Sequence, residues 1–517
     1  MKQAVQHRRY PSDHRPVVIK MQPPAMPLQG QHRWRFPNSA LGDPEFVSAL
    51  QRSLKAATQQ QEQQLPRNSP AAEFEQLKEH AAAATVIIQK QLRLQRQAEA
   101  RRLRQAVYTA DRQHRHAGTA RTQSNLLLAE QRLTEYEQRE RSKQGEAANV
   151  LWEIYGEKPS FWFYRLGKAV PEPQYISRVA VPGGGTVSTD TKEGVVAAGE
   201  LLADFFDPAT GGLFSCHLTD PQQQQELLAD VDQRLSEAEQ QQCAGPNGDG
   251  SITLGEATAA LASLPRGKEP GSDGLTYEFY SAFWELLGQP FVDAFNFLHA
   301  QQQAQMSQQQ RMGLITLIFK GGGKPREQPG SNRPITLLNC DVKIMAKAVV
   351  QRVNPVLDSV IDSTQTAFVP GRDIADNVML HLEEIDYLQE EQQPGCILFL
   401  DFEKAYDRLD RDWLFLCMST MQFPASTLRW VQLLLAGTQG RITFNGGHLS
   451  RVFDIPSGCA QGSPLSPLLY VIAAQPLAAR CRALQAAGEL DSIKQPDGTD
   501  SPCCLQHADD TSLHAAS

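Results

Sequence analysis

The chain has 517 residues, 41% of them hydrophobic and 21% charged, with a formal net charge of -8. That length leaves room for several domains around a large buried core, and the composition reads as soluble and mostly globular. The negative balance excludes a uniformly basic coat for nucleic acid, so any such site must be local.

Nine irregularly spaced cysteines without a Cys-x-x-Cys pair point to a reducing compartment and away from a structural zinc module. With no leader peptide and no apolar run of roughly 18–20 residues, the protein is expected to be intracellular, in nucleus and cytoplasm, with no membrane partner.

In chain order, Pro11 to Lys20 reads as a polar turn and a short apolar strand carrying the dyad Asp13-His14. Residues 21–70 are rich in Pro and Gln and read as linker. Residues 71–148, nearly free of Pro and Gly, predict two helices broken near His116-Ala117-Gly118, within a helical basic region over 71–170. Between Gln89 and Arg121 stand nine Lys or Arg and two acids, which suits either a solvated helix face or a basic helix lying on RNA or DNA phosphates. Phe161-Trp162-Phe163-Tyr164, without basic interleaving, reads as core rather than as a base-stacking platform.

Residues 171–250 predict short strands around a Gly turn and then helix, an extension ahead of the main body at 251–517. Asn247 to Glu256 resembles part of a calcium-binding loop, but its first ligand position is Gly245, so a turn and a capping box (Thr253, Glu256) is the better reading. Leu314 to Phe319 reads as a buried strand running into Lys320 and the tip Gly321-Gly322-Gly323-Lys324, and Asn332 to Asn339, with Arg333, as its return. Such a tip suits either a triphosphate clamp or a plain hairpin with solvated charges.

The last motif, Asp509-Asp510, can point both carboxylates one way only at a tight turn. The crowded charge would be offset by a divalent metal, with Asp401, after the apolar run Cys396–Leu400, as the third carboxylate.

The order of motifs resembles the reverse transcriptase region of LINE-type (non-LTR) retrotransposon polyproteins. The resemblance rests on Pro270-Gly271-Ser272-Asp273-Gly274, Asn332-Arg333-Pro334-Ile335 and Thr364 to Arg372. It continues through Asp401-Phe402-Glu403-Lys404-Ala405-Tyr406-Asp407, Ser457 to Pro467 and Ala508-Asp509-Asp510. Upstream, Ser12-Asp13-His14 is similar to the closing motif of the family's apurinic-endonuclease-like domain. Trp34 to Ser39 and Asp43 to Phe46 are similar to the segment after it.

The resemblance implies an α+β fold, right-hand polymerase fingers and palm preceded by a mainly α-helical N-terminal region. The sequence is expected to be truncated, ending before the thumb, with residues 1–20 an endonuclease tail lacking its metal-binding Glu. The implied activity is RNA-directed DNA polymerase. Asp401, Asp509 and Asp510 would be catalytic and hold two Mg2+ ions (Mn2+ as substitute). Lys320, Arg333, Tyr406, Gln461 and Gly462 would bind nucleotide, with Tyr406 as the gate against a ribose 2'-hydroxyl and Asp407 structural. His507 replaces the aromatic residue usual before Ala-Asp-Asp. Implied partners are an RNA template, a DNA primer or target, deoxynucleoside triphosphates and an element-encoded RNA-binding protein. The alternative is a non-catalytic nucleic-acid-binding remnant acting through the basic helix 89–121.

Overall fold

Three helices open the described chain. The computed structural model describes residue 30 and residues 33–64, 66–155 (backbone only for 143–155), 175–216, 219–495 and 497–516. Asp13, His14 and the aromatic run 161–164 lie outside the described residues.

Helix α1 (Pro44–Gln63) starts at a proline whose missing N–H costs nothing there, capped by Asp43 accepting from the Glu45 amide. Helix α2 (Pro70–Ala117) repeats the device with Ser69, and ends at Gly118, which takes a left-handed φ of 57° and bonds back to the His114 carbonyl. Helix α3 (Ala120–Tyr155) follows, so the expected break is found.

Helix α1 takes up residues 44–63 of the stretch 21–70 read as linker. Its Gln-rich C-terminal half hid the buried stripe Phe46, Leu50 and Leu54 at i, i+4, i+8. That stripe, with Phe36, Phe74 and Leu77, enters one core with Phe279, Phe283 and Phe291 of the helix Tyr277–Ala300 and with the helices Cys340–Val353 and Ser466–Ala486. Each such side chain contributes about 1.5–3 kcal/mol on burial.

A buried ion cluster fixes the register of this packing. Lys78 of α2 reaches Asp341 at 2.6 Å and Asp273, in the Pro270–Gly274 turn, at 3.7 Å. Burial alone would lower the Lys78 pKa, but Asp341, Asp273 and Glu75 outweigh it and raise it. Asp273 is pushed up to about 7, by burial first, with Lys78 opposing. The calcium-like loop is a capped turn: Thr253 and Glu256 cap each other reciprocally, and Glu256 also pairs with Arg352 at 2.5 Å.

Among the described residues the strands form three sheets, giving the mixed α+β architecture. The first is the small hairpin β1 (Arg178–Ala180) and β2 (Thr186–Ser188). In the second, β3 (Met312–Phe319) pairs antiparallel with β4 (Asn332–Leu337) and parallel with β6 (Gln439–Phe444). Strands β7 (His448–Leu449) and β8 (Phe453–Asp454) flank β6. The helix Lys192–Phe206 covers this sheet, packing Ala198, Leu202 and Phe206 with Ile315, Leu317, Ile442 and Phe453.

In the third sheet β10 (Asp510–Ala516) runs between β5 (Gly395–Leu400) and β9 (Cys504–His507), antiparallel to both. Among the described residues no helix is long and apolar enough to cross a membrane.

Candidate active-site cleft

The third sheet assembles the acidic residues. Thr511 pairs with Leu400 as the last step of the β10–β5 ladder, so Asp510 and Asp401, one residue beyond it on each strand, lie at the same end of the sheet. Asp509 sits in the two-residue turn between β9 and β10, where Ala508 takes a left-handed φ of 58°. That value is demanded at the first position of such a turn and is normally supplied by glycine.

The neighbouring loop holds the turn. Gln365, fully buried, accepts from the Ala508 amide at 2.8 Å and donates to the Ala508 carbonyl at 3.3 Å. Its flanks clamp β9: the Gln506 amide donates to the Thr364 carbonyl and the Thr366 amide donates to the Gln506 carbonyl, each at 3.0 Å. His507 bonds through Nδ1 to the Thr366 hydroxyl at 3.0 Å.

Across from the carboxylates stands the β3–β4 hairpin. The Lys320 amide donates to the Ser331 carbonyl at 3.0 Å, closing the hairpin just past the ladder. Gly321, Gly322 and Gly323 then all take φ near 70° (73°, 69° and 73°), a left-handed run that only glycine sustains cheaply. Lys320, Lys324 and Arg333 are exposed here, with no carboxylate partner among the described residues.

Between these elements lies a cleft of about 770 Å³ lined by Lys320, Arg333, Asp401, Tyr406, Gln461, Gly462, Asp509 and Asp510. All eight residues expected to act on nucleotide or metal from the sequence thus come together. Asp401 and Asp510 are exposed and Asp509 half-buried, and no cation or hydrogen-bond donor among the described residues neutralises any of the three side chains. Clustered, unneutralised oxygen donors suit hard divalent cations.

The cleft floor is tightly determined. Tyr406 stacks on Tyr470 at 4.8 Å between ring centroids, and burial, then the nearby Asp509 charge, raises its pKa. Gly462 has φ of 134°, and a Cβ there would lie 2.3 Å from the Thr336 carbonyl oxygen. Gln461 lines the cleft, but its amide nitrogen is committed to Asp407, at 3.2 and 3.1 Å from the two carboxylate oxygens. Burial pushes Asp407 up to about 6 against Lys404, the Gln461 bond and Lys320.

Sequence reasoning gave no role to two contributors, Lys404 and Gln365. Lys404, at a left-handed φ of 58°, lines the cleft and donates to the Asn332 carbonyl at 3.2 Å, tying the β5 end to β4. Burial, then the Lys320 charge, lowers its pKa. Lys324 adds a further cation. Gln365 supports the acidic turn from behind. Lys404 and Gln365 lie inside the motifs already singled out, but their spacing alone does not reveal whom they touch.

Comparison with known proteins adds a family to this geometry. Residues 320–517 match the family model described as reverse transcriptase (RNA-dependent DNA polymerase). Over 225 residues the chain is 33% identical to the transposon TX1 uncharacterized 149 kDa protein of Xenopus laevis, covering 44% of this chain and 17% of that protein. It is 28% identical over 166 residues to the probable RNA-directed DNA polymerase from transposon X-element of Drosophila melanogaster, covering 32% and 18% of the two chains. With the probable RNA-directed DNA polymerase from transposon BS of the same fly it shares 27% identity over 224 residues, 43% of this chain and 24% of that one. The chain thus spans about a fifth of the length of these curated relatives. Residues 320–517 thus match a reverse transcriptase family model, and these relatives of the chain are transposon proteins.

Proposed function

We propose that the cleft carries out RNA-directed DNA synthesis, with the β3–β4 hairpin serving as fingers and the β5–β10–β9 sheet as palm of a right-hand polymerase. One arrangement supports this above all: three unneutralised carboxylates face four cationic side chains, Lys320, Lys324, Arg333 and Lys404, across a space of nucleotide size. Phosphoryl transfer asks for that pairing, since it needs positioning and charge neutralisation and no nucleophilic side chain.

Asp401, Asp509 and Asp510 would hold two Mg2+ ions, with Mn2+ as substitute. When bound, such ions supply activation of the primer 3'-hydroxyl and neutralisation of the leaving pyrophosphate. The chain's own part is to grip and orient. Lys320, Arg333 and Lys404 bind the triphosphate oxygens. Tyr406, pinned by Tyr470, leaves no room for a 2'-hydroxyl and selects deoxynucleotides. Gly462 lets backbone approach the incoming base pair. The partners are then an RNA template, a DNA primer and deoxynucleoside triphosphates.

Primer extension on poly(rA)/oligo(dT) tests this reading. Magnesium-dependent incorporation of dTMP, stopped by a chelator, is expected. Salt-sensitive template binding without incorporation would sink it and leave a nucleic-acid-binding remnant.

A further inference from the structure

Behind the acidic turn, on the far stretch of β10, lies a second cluster of ligating side chains. His381 and Glu384 stand at i, i+3 on one face of the helix Ile374–Glu390, and His514 faces them from β10. One ligating atom from each lies within 4.8 Å of the other two. Glu384 and His514 are almost wholly buried, at 3% and 1% exposure.

The hydrogen bonds around them account for every proton but leave one lone pair over. Glu384 accepts from the Ser501 hydroxyl on one oxygen and meets His514 Nδ1 on the other, so Nδ1 carries the His514 proton. His514 Nε2 is then an acceptor and takes the Ser512 hydroxyl proton at 2.9 Å. With its proton spent, the Ser512 oxygen accepts from His381 Nε2 at 3.1 Å. His381 Nδ1 is left unprotonated, buried and without a hydrogen-bond partner among the described residues. An unpaired buried polar atom is costly, and most native ones are satisfied by something.

We propose that His381, Glu384 and His514 form a binding site for one borderline divalent cation of the zinc type, separate from the all-oxygen site at Asp401, Asp509 and Asp510. Two imidazole nitrogens and one carboxylate are the donor set such ions favour, with water in the fourth position. An imidazole nitrogen that takes the ion gives up any proton it carries to solvent, and the His381 Nδ1 lone pair is not engaged by any hydrogen bond among the described residues. The ion would tie the helix Ile374–Glu390 to the strand that begins with Asp510, bracing the catalytic hairpin from behind.

The test uses the full chain, stripped of metal by a chelator and held in excess Mg2+ so that the oxygen site is occupied. Cobalt(II) serves as the spectroscopic probe, followed by displacement with Zn2+. The expected result is one equivalent of Co2+ with d–d bands of nitrogen and oxygen ligation, displaced by Zn2+. A rise in Tm of about 5 °C should accompany it. His381→Gln and Glu384→Gln should each lose the equivalent, and the double variant Asp509→Asn, Asp510→Asn should keep it. His381 is half-buried, so His381→Gln decides the matter even if the buried Glu384→Gln misfolds. The proposal is overturned by the absence of stoichiometric Co2+ or by its retention in His381→Gln. A thiolate charge-transfer band, pointing instead to the Cys481, Cys503 and Cys504 cluster, would overturn it as well.

Discussion

At the residue scale the cleft is a set of side chains held by buried neighbours. Tyr406 is fixed by stacking on Tyr470, so its edge is a rigid wall rather than a mobile ring. Replacing it with Ala should raise incorporation of ribonucleotides relative to deoxynucleotides by roughly 10- to 100-fold, with primer–template affinity unchanged. A selectivity ratio equal to that of the native chain would remove Tyr406 from the gate.

Asp407 makes a prediction about pH. Its folded carboxyl titrates at about 6, above the ordinary carboxylate range, because it is buried. The folded chain therefore keeps a proton that the unfolded chain has lost, so this group favours folding at acid pH and that contribution is lost as pH rises through 6. Comparing urea unfolding of Asp407→Asn and native protein, the difference should move in the variant's favour by about 1.4 kcal/mol from about pH 5 to about pH 8. A difference that does not change with pH would contradict this.

At the element scale the decisive piece is the β9–β10 hairpin. Its turn puts a strained, left-handed Ala508 beside two carboxylates, and Gln365 caps both polar backbone atoms of that residue. Gln365→Ala leaves the buried Ala508 amide unsatisfied and lets Asp509 shift. Because displacements of about 1 Å can cost 100-fold in rate, kcat should fall by about 10- to 100-fold while KM for primer–template stays put. An unchanged kcat would make Gln365 a passive core residue.

Much of this level is legible in the sequence, because the acidic turn, the apolar strand before Asp401 and the glycine tip are local patterns. Gln365 is not, since its partner lies 143 residues away. The amide of Gln461 is likewise drawn off to Asp407, a contact that no spacing rule reports.

At the scale of the whole molecule, α1 and the first half of α2 share a core with the sheets' supporting helices. Composition points the other way, because glutamine and proline dominate the visible pattern over 21–70 while the few buried aromatics are widely spaced. Lys78 is the hidden signal, a lysine on an otherwise apolar stripe that meets carboxylates nearly 200 or more residues distant. Lys78→Met should destabilise the protein by about 3–5 kcal/mol, because it strands Asp341 and Asp273 as buried, uncompensated acids. A melting temperature within a degree or so of the native value would show the cluster to be dispensable.

The basic stretch 89–121 is partly spent within the protein. Arg96 pairs with Asp43 at 2.5 Å and with Glu45 at 3.1 Å, and Arg104 meets Glu137 at 3.7 Å. That leaves a thinner positive face than the sequence count suggests.

Asp510, at the same end of the sheet as Asp401, acts on the reaction and not on binding. Single-turnover dTMP incorporation should therefore be measured for Asp510→Asn beside the native chain, together with primer–template Kd. A rate loss of about 1,000-fold or more at unchanged Kd is predicted, the size expected when a group acts only in the transition state. An unchanged rate, or a rate loss matched by an equal loss of binding, would contradict it.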